Sequence, residues 1–491
     1  MNVTLRLFSF LLLLPWSLQA AEPTRPNVFF IAIDDLNDWI GCLGGHPQAK
    51  TPNMDRLAKR GVLFTHAHCA APLCNPSRAA VFGGRHPFET GVFANDEKNI
   101  RKVRPDLVLI PQHFKQAGYR TFGTGKLLHQ TSTGLFDEDF FPDCRWSPFT
   151  PKQADYTAEE LPSKATANPR HVTELKGKPV VLPLNRMPSD RAPGTRAGES
   201  FDWGPLDVDD SDMGDGQIAA WAVERLRRTQ DKPFFLAIGF YRPHIPLFAP
   251  KKYFDLYAGL DIQLPRVKND DLNDLSDTGR KLALEAVTAG AHATVVKYGQ
   301  WQAAVTAYLA CVSFIDTQVG KLLDALDASP YAGNTVIVLW SDHGWHLGEK
   351  QHWGKWTGWQ RSTRVPLIVA PARNAPAGSS RGGAKCAQPV SLLDLYPTLI
   401  ELCGLPPRDG LSGRSLAPLM RNPTQATDRA VITTFDKGNY SVTGAPWHYI
   451  RYADGNEELY DLQSDPNEWT NLGRDRKHAD VIATQRALLP K

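Results

Sequence analysis

Three runs of consecutive apolar residues stand out along the chain: Val28–Ile33, Phe234–Phe240 and Thr335–Trp340. A strand that is apolar on both faces must be covered on both faces, so each run predicts a buried strand of a largely parallel sheet. Shorter strands are expected at Tyr119–Thr124 and Val365–Val369. Helical periodicity fills the intervals. It is clearest from Gln300 to Asp327, where Ala304, Tyr308, Cys311, Val312, Ile315, Val319, Leu322 and Leu326 keep an i, i+3/i+4 stripe. Asp316 lies beside that stripe and reads as a capped or paired structural carboxylate. Shorter helices are expected at Asn53–Gly61, Pro111–Gly118, Gln217–Arg228 and Ser391–Cys403. Strands alternating with helices give an α/β domain built on a mostly parallel sheet. Residues 146–215 are rich in Pro, Asp, Gly and Arg with weak periodicity, which predicts long surface loops. After Pro406 the pattern becomes alternating, as in His448–Tyr452 and Glu458–Leu462, and predicts half-exposed antiparallel strands. The expected division is a main domain over 21–420 and a small C-terminal subdomain over 421–491.

Composition narrows the setting. With 42% hydrophobic and 22% charged residues the 491-residue chain is that of a globular protein. A net charge of +3 gives no case for nucleic acid or for a membrane surface as partner. At the N-terminus Arg6, the apolar run Leu7–Leu14 and the small residues Ala20 and Ala21 predict a secretory signal peptide over residues 1–20. The expected location is therefore an exported one: periplasmic, secreted or lysosomal. An uncleaved anchor is the alternative, and no other stretch approaches the length of a spanning helix. Export permits disulfides, and the seven cysteines leave one over. No Cys-x-x-Cys pair is present, which argues against a structural zinc site.

The polar residues that end the strands carry the candidate chemistry. In open α/β sheets ligands bind beyond the carboxyl ends of the strands. Here those ends read Asp34-Asp35, Lys126 followed by His129, Arg242-Pro243-His244 and Asp342-His343. Adjacent carboxylates repel unless a cation lies between them, so Asp34, Asp35, Asp342 and His343 point to a metal; helix caps and turns are the competing reading. A lone Lys or His is more often a solvated or satisfied residue, and the same holds for Lys355 in His352-Trp353-Gly354-Lys355. The remaining element is Leu73-Cys74-Asn75-Pro76-Ser77-Arg78, a loop turning into a helix. Pro76 suits the first helical position, which places Cys74 and Asn75 where free N–H groups favour an anion. A buried structural cysteine is the alternative there.

The stretch Cys74-x-Pro-Ser-Arg78, with Gly84 and Arg85 after it, resembles the signature of the sulfatase family; Gly83 departs from it, standing where the family has Thr. The spacing of Lys126 and His129, and the Arg242-Pro243-His244-Ile245-Pro246 segment, resemble the iduronate-2-sulfatase branch. The resemblance runs from Asn27 to about Val369, with a further match at Tyr460-Asp461-Leu462 and beyond. It implies an alkaline-phosphatase-like fold. It also implies that Cys74 is oxidised to formylglycine by a formylglycine-generating enzyme and that its hydrate is the nucleophile. One divalent cation, Ca²⁺ by the family pattern, is implied on Asp34, Asp35, residue 74, Asp342 and His343. His343 is an unusual ligand for so hard an ion. Arg78, Lys126, His129, His244 and Lys355 take catalytic roles by the same resemblance. The implied substrate is a sulfated carbohydrate or a small sulfate ester. Two rival readings stand beside it: a formylglycine-dependent phosphodiester or phosphonate monoester hydrolase of the same fold, and an exported binding protein without activity.

Overall fold

The computed structural model describes residues 25–145, 148–149, 171–188, 190, 201–286, 288–376, 378–380 and 382–490. The expected signal segment lies outside them. The main sheet has eight strands: β1 (Asn27–Ile33), β2 (Val62–Phe64), β3 (Arg120–Gly125), β4 (Glu138–Phe140), β5 (Phe234–Phe240), β6 (Thr335–Ser341), β7 (Leu367–Ala370) and β8 (Ala384–Cys386). Their spatial order is β8-β2-β7-β6-β1-β5-β3-β4. Only β7 runs against its neighbours, so the sheet is mostly parallel as expected. The three long apolar runs are its central strands, and every residue of β1, β5 and β6 is buried.

Both faces of the sheet are covered, which explains those runs. Phe29, Ile31 and Ile33 pack under α1 (Pro52–Ala58), α4 (Gly214–Arg227) and α5 (Trp301–Asp327). Val28, Phe30 and Ala32 pack under α2 (Cys74–Gly83), α3 (Ile110–Gln116) and α6 (Leu395–Leu402). Phe30 alone meets Phe82, Phe235 and Trp340, with ring centroids 5.4 to 6.0 Å away. Truncating such a side chain to alanine costs about 3–5 kcal/mol. Asp316 is structural, as its position suggested: it accepts the N–H groups of Asn53 and Met54 at the start of α1.

Four expectations are corrected. The 27-residue α5 is long and apolar enough to cross a membrane, although no stretch beyond the N-terminus was expected to be; it lies buried in the core. The 146–215 region is not all loop: its described part holds a hairpin, His171–Leu175 with Lys178–Leu182, and a strand, Trp203–Leu206, that pairs with Leu247–Pro250. Pro366 splits the expected Val365–Val369 strand, because it has no N–H to give a ladder. α2 begins at Cys74, which makes Pro76 its third residue; N–H groups of the first turn have no helical partner, so a proline is tolerated there.

The register fixes where the chemistry gathers. Ile33 lies beside Ser341 on one side and Phe240 on the other, and Gly125 lies beside Gly239. Asp34, Lys126, Tyr241 and Asp342 therefore leave the sheet at one edge. A separate antiparallel sheet follows: β9 (Ala430–Asp436), β10 (Asn439–Gly444), β11 (Trp447–Arg451) and β12 (Glu457–Asp461). It docks on the loop before α2, where Thr433 Oγ1 donates to Cys69 O (2.6 Å) and Thr434 N–H donates to Ala70 O (2.9 Å).

Candidate active site

Helical spacing puts Cys74, Ser77 and Arg78 on one face of α2, since residues three and four apart share a face. That face meets the strand ends. Ser77 Oγ donates to Asp342 O (2.6 Å), and Arg78 Nε donates to Asp342 Oδ2 (2.7 Å). A second nitrogen of the same guanidinium reaches Asp34 Oδ1 at 3.3 Å. The next residue, Asn75, faces away: its N–H donates to Asn95 Oδ1 at 2.8 Å.

Strand alternation would send Asp34 and Asp35 to opposite sides. Asp35 instead sits at φ 61°, a left-handed conformation that Asp tolerates better than most residues. The turn brings both carboxylates into one group: ligand atoms of Asp34, Asp35, Cys74 and His343 lie within 4.8 Å of one another. His343 Nδ1 donates to Gly344 O (3.0 Å), which turns Nε2 toward the group, 3.3 Å from Cys74 Sγ. Asp342 stands at the edge of the group. Its Oδ1 accepts the N–H groups of Asp35 and His343, and its Oδ2 is held by Arg78.

Two lysines converge on residue 74. Lys126 Nζ lies 3.4 Å from Sγ and bonds Asp34 Oδ2. Lys355 Nζ lies 3.0 Å from Sγ and 2.6 Å from Asp35 Oδ1. Lys126 is placed by a close approach of two strands, because a Cβ on Gly239 would sit 2.1 Å from Lys126 O. Thr288 holds Lys355, accepting its N–H at 3.2 Å. His129 lies close to Cys74 on the β3 side and interacts with its thiol. His244 is aimed through its own loop: Nδ1 donates to Ile245 O at 2.5 Å.

Electrostatics single out Cys74 among the cysteines. All seven are unpaired, so the odd count reflects no disulfide framework. Burial pushes the thiols of Cys311 and Cys403 up to about 12, and that of Cys69 well above the usual thiol value. Cys74 is equally buried, at 0% exposure, yet Lys126, Lys355 and His343 outweigh the burial and hold its thiol well below the usual value. The carboxylates divide in the same way. Burial pushes Asp342 up to about 6 despite Arg78. Asp34 is just as buried, but Lys126, His244 and Arg78 together hold it below the usual carboxylate range.

The residues expected from the strand ends thus surround Cys74, with His244 on the adjoining loop. Others had no obvious mark. Asp215, at the start of α4, accepts the N–H groups of Tyr241 (2.7 Å) and Arg242 (3.2 Å) and so fixes the loop that carries His244. Burial pushes its carboxyl up to about 6. Ser341 Oγ accepts Leu36 N–H and donates to His343 O, tying two strand ends together. A short polar residue at a strand or helix end was the only available signal for each.

Whether the group fits a cation can be read from its own atoms. Asp35 Oδ2 is buried with no hydrogen-bond partner. Two carboxylates, an imidazole nitrogen and the side chain of residue 74 converge beside it. Oxygen-rich donors with one imidazole fit a hard divalent ion better than a thiolate-seeking one.

Comparison with known proteins agrees with the geometry. The family model described as Sulfatase matches residues 26–405, and one described as N-sulphoglucosamine sulphohydrolase, C-terminal, matches residues 348–491. A protein named sulfatase from Formosa agariphila is 40% identical over 476 residues, covering 96% of this chain and 87% of its own. Iduronate 2-sulfatase of Mus musculus is 31% identical over 442 residues, covering 83% and 74%. Among solved structures, one in complex with its substrate D-glucosamine-2-N,6-O-disulfate has a TM-score of 0.69 at 20% identity, covering 95% and 97%. Phosphonate monoester hydrolase of Agrobacterium radiobacter has a TM-score of 0.73 at 20% identity, covering 94% of both chains. These two show the shared fold. With the family model spanning the sheet, α2 and the strand-end residues, the chain belongs to the sulfatase family of sulfuric ester hydrolases.

Proposed function

We propose that the protein hydrolyses a sulfate ester of a sulfated carbohydrate, with residue 74 in its formylglycine form as the nucleophile. One observation carries the reading: a fully buried Cys74 at a helix N-terminus, with Lys126, Lys355 and His343 within 3.4 Å of its sulfur. A structural cysteine needs no such surroundings. Likeness to iduronate 2-sulfatase supports a sulfated sugar as substrate.

Formylglycine, as its hydrate, would supply the oxygen nucleophile and a second hydroxyl that lets sulfate leave with return of the aldehyde. A divalent cation held by Asp34, Asp35, His343 and residue 74, with Asp342 beside them, would supply Lewis-acid stabilisation of developing charge; we assign Ca²⁺. The chain's own groups do the rest. Lys126 and Lys355 stay charged, because Asp34, Asp35 and Cys74 outweigh their burial, and they neutralise the sulfate oxygens as the S–O bond breaks. Arg78 holds Asp34 and Asp342 in place from below. His129, in contact with residue 74, takes a proton there. His244 gives a proton to the departing alcohol, its ring fixed by the Ile245 carbonyl. The export expected from the N-terminal segment suits the maturation of Cys74 by a formylglycine-generating enzyme.

The test is a side-by-side assay of sulfated sugars, an aryl sulfate, a phosphate diester and a phosphonate monoester, using protein coexpressed with that enzyme. Turnover of sulfate esters above the phosphorus substrates is expected. A phosphodiesterase or phosphonate hydrolase rate far above the sulfate rate overturns the proposal.

A further inference from the structure

Beside the nucleophile, and sharing Lys126 and His129 with it, lies a cavity. It has a volume of about 170 Å³, and Lys126, His129, Arg145 and Tyr241 are among the residues that line it. Ser132 lines it too. No carboxylate lines it. Asp34 is committed to Lys126 and Arg78, and Asp215 to the backbone of Tyr241 and Arg242.

Two buried polar atoms on this wall lack partners. Ser132 Oγ belongs to a residue only 2% exposed and makes no hydrogen bond. His129 Nδ1 is likewise buried and unpartnered, on the ring that touches Cys74. A buried hydroxyl without a partner costs free energy unless something occupies the space beside it. Arg145 pairs with no carboxylate among the described residues. Its backbone is nonetheless held in place. The carbonyl oxygens of Cys144 and Arg145 lie 2.3 and 2.4 Å from where a Cβ on Gly214 would be, so only glycine allows them to rest on the N-terminus of α4. Gln217 Nε2 and Asp212 O close on Cys144 Sγ, each at 3.6 Å.

We infer that this cavity is a second anion subsite, in which Arg145 and Ser132 hold a carboxylate or a second sulfate carried by the sugar whose sulfate ester is cleaved. The inference rests on the sulfatase reading and deepens it, from a sulfate ester to a substrate with two anionic groups. A guanidinium presents a fork of donors that suits either group, and a hydroxyl adds one more. Lys126 borders both sites, so the two anions of one sugar would share its charge.

Steady-state kinetics on the matured enzyme test this with three substrates: 4-nitrophenyl sulfate, a hexuronic acid sulfate and a hexosamine disulfate. Arg145→Ala is expected to raise KM for a two-anion substrate by about tenfold or more, with kcat and the 4-nitrophenyl sulfate kinetics unchanged. Ser132→Ala is expected to do the same to a smaller extent. A response confined to the uronate assigns the subsite to a carboxylate, and one confined to the disulfate assigns it to a second sulfate. Unchanged KM for both, or an equal change for all three substrates, overturns the subsite. Wild-type turnover of none of the sulfates overturns instead the sulfatase reading beneath it.

Discussion

Two of the clusters of buried charge among the described residues are built on different plans. The first surrounds Cys74. The second lies under the C-terminal sheet. There Lys350 Nζ meets Asp271 Oδ1 at 2.7 Å and also bonds Glu468 O. Glu468 pairs with His448 and accepts Gln360 N–H. Glu458 accepts from Trp359 Nε1 (2.9 Å), Tyr452 OH (2.8 Å) and Tyr460 OH (2.7 Å). Both oxygens of Glu458 and of Glu468 are satisfied, and the donors to Glu458 are neutral. The cluster joins the main domain to the sheet like a clamp. In the first cluster Asp35 Oδ2 is unpartnered, and two lysines crowd a thiol that burial alone would keep protonated. Burial of charge is therefore no mark of a site. Unmet ligand capacity beside a nucleophile is.

Substitutions that act on one cluster should leave the other's property intact. The largest effect is expected from Cys74→Ala: kcat for a sulfate ester falls by about 10⁴-fold or more, with the unfolding transition in place. Lys355→Met should cost about 10²–10³ in kcat, as for removal of one oxyanion-stabilising group. Asp35→Asn is expected to lower bound divalent metal, measured by elemental analysis of the purified protein, together with kcat. In the clamp, Glu458→Ala leaves three buried donors without an acceptor and should cost about 3 kcal/mol or more in denaturant unfolding, while kcat of the folded enzyme holds. If Glu458→Ala abolished turnover in fully folded protein, the division between the clusters would fail.

The smallest effect concerns acid. His292 accepts Trp353 Nε1–H at 2.8 Å and must be neutral to do so. Burial lowers its pKa from 6.5 to about 4, and those of His66 and His86 likewise. Because the folded values lie below the unfolded one, this stability is complete above pH 6.5 and is lost as pH falls toward 4. Thermal melts across that window should show Tm falling, and falling less steeply in His292→Asn.

Much of this was legible in the sequence, for a physical reason. Strands covered on both faces cannot hide: β1, β5 and β6 had to be apolar through their middles, and the polar residues that follow them and β3 had to mark the edge of the sheet. Asp34, Lys126, His244 and Asp342 were found in that way. What escaped depends on contacts between distant segments. Thr288 matters because it touches Lys355, and Asp215 because it touches Tyr241; neither carries a pattern of its own. The hairpin of β9 and β10 escaped too, because its Thr, Ser and Tyr positions blur the alternation that betrayed β11 and β12. Within the site, the sequence grouped Asp342 with Asp34 as a ligand; in the structure Asp342 stands beside the group, its oxygens accepting from Arg78 and from backbone N–H groups.

The central claim is that residue 74 is the reacting group and works only once oxidised. Mass spectrometry of the peptide containing residue 74, on samples matured to different extents and assayed in parallel, measures it directly. The account predicts a peptide in which one oxygen has replaced the thiol sulfur and two hydrogens, with sulfate ester turnover rising in proportion to that fraction. Full turnover from protein whose residue 74 is unmodified cysteine would contradict it.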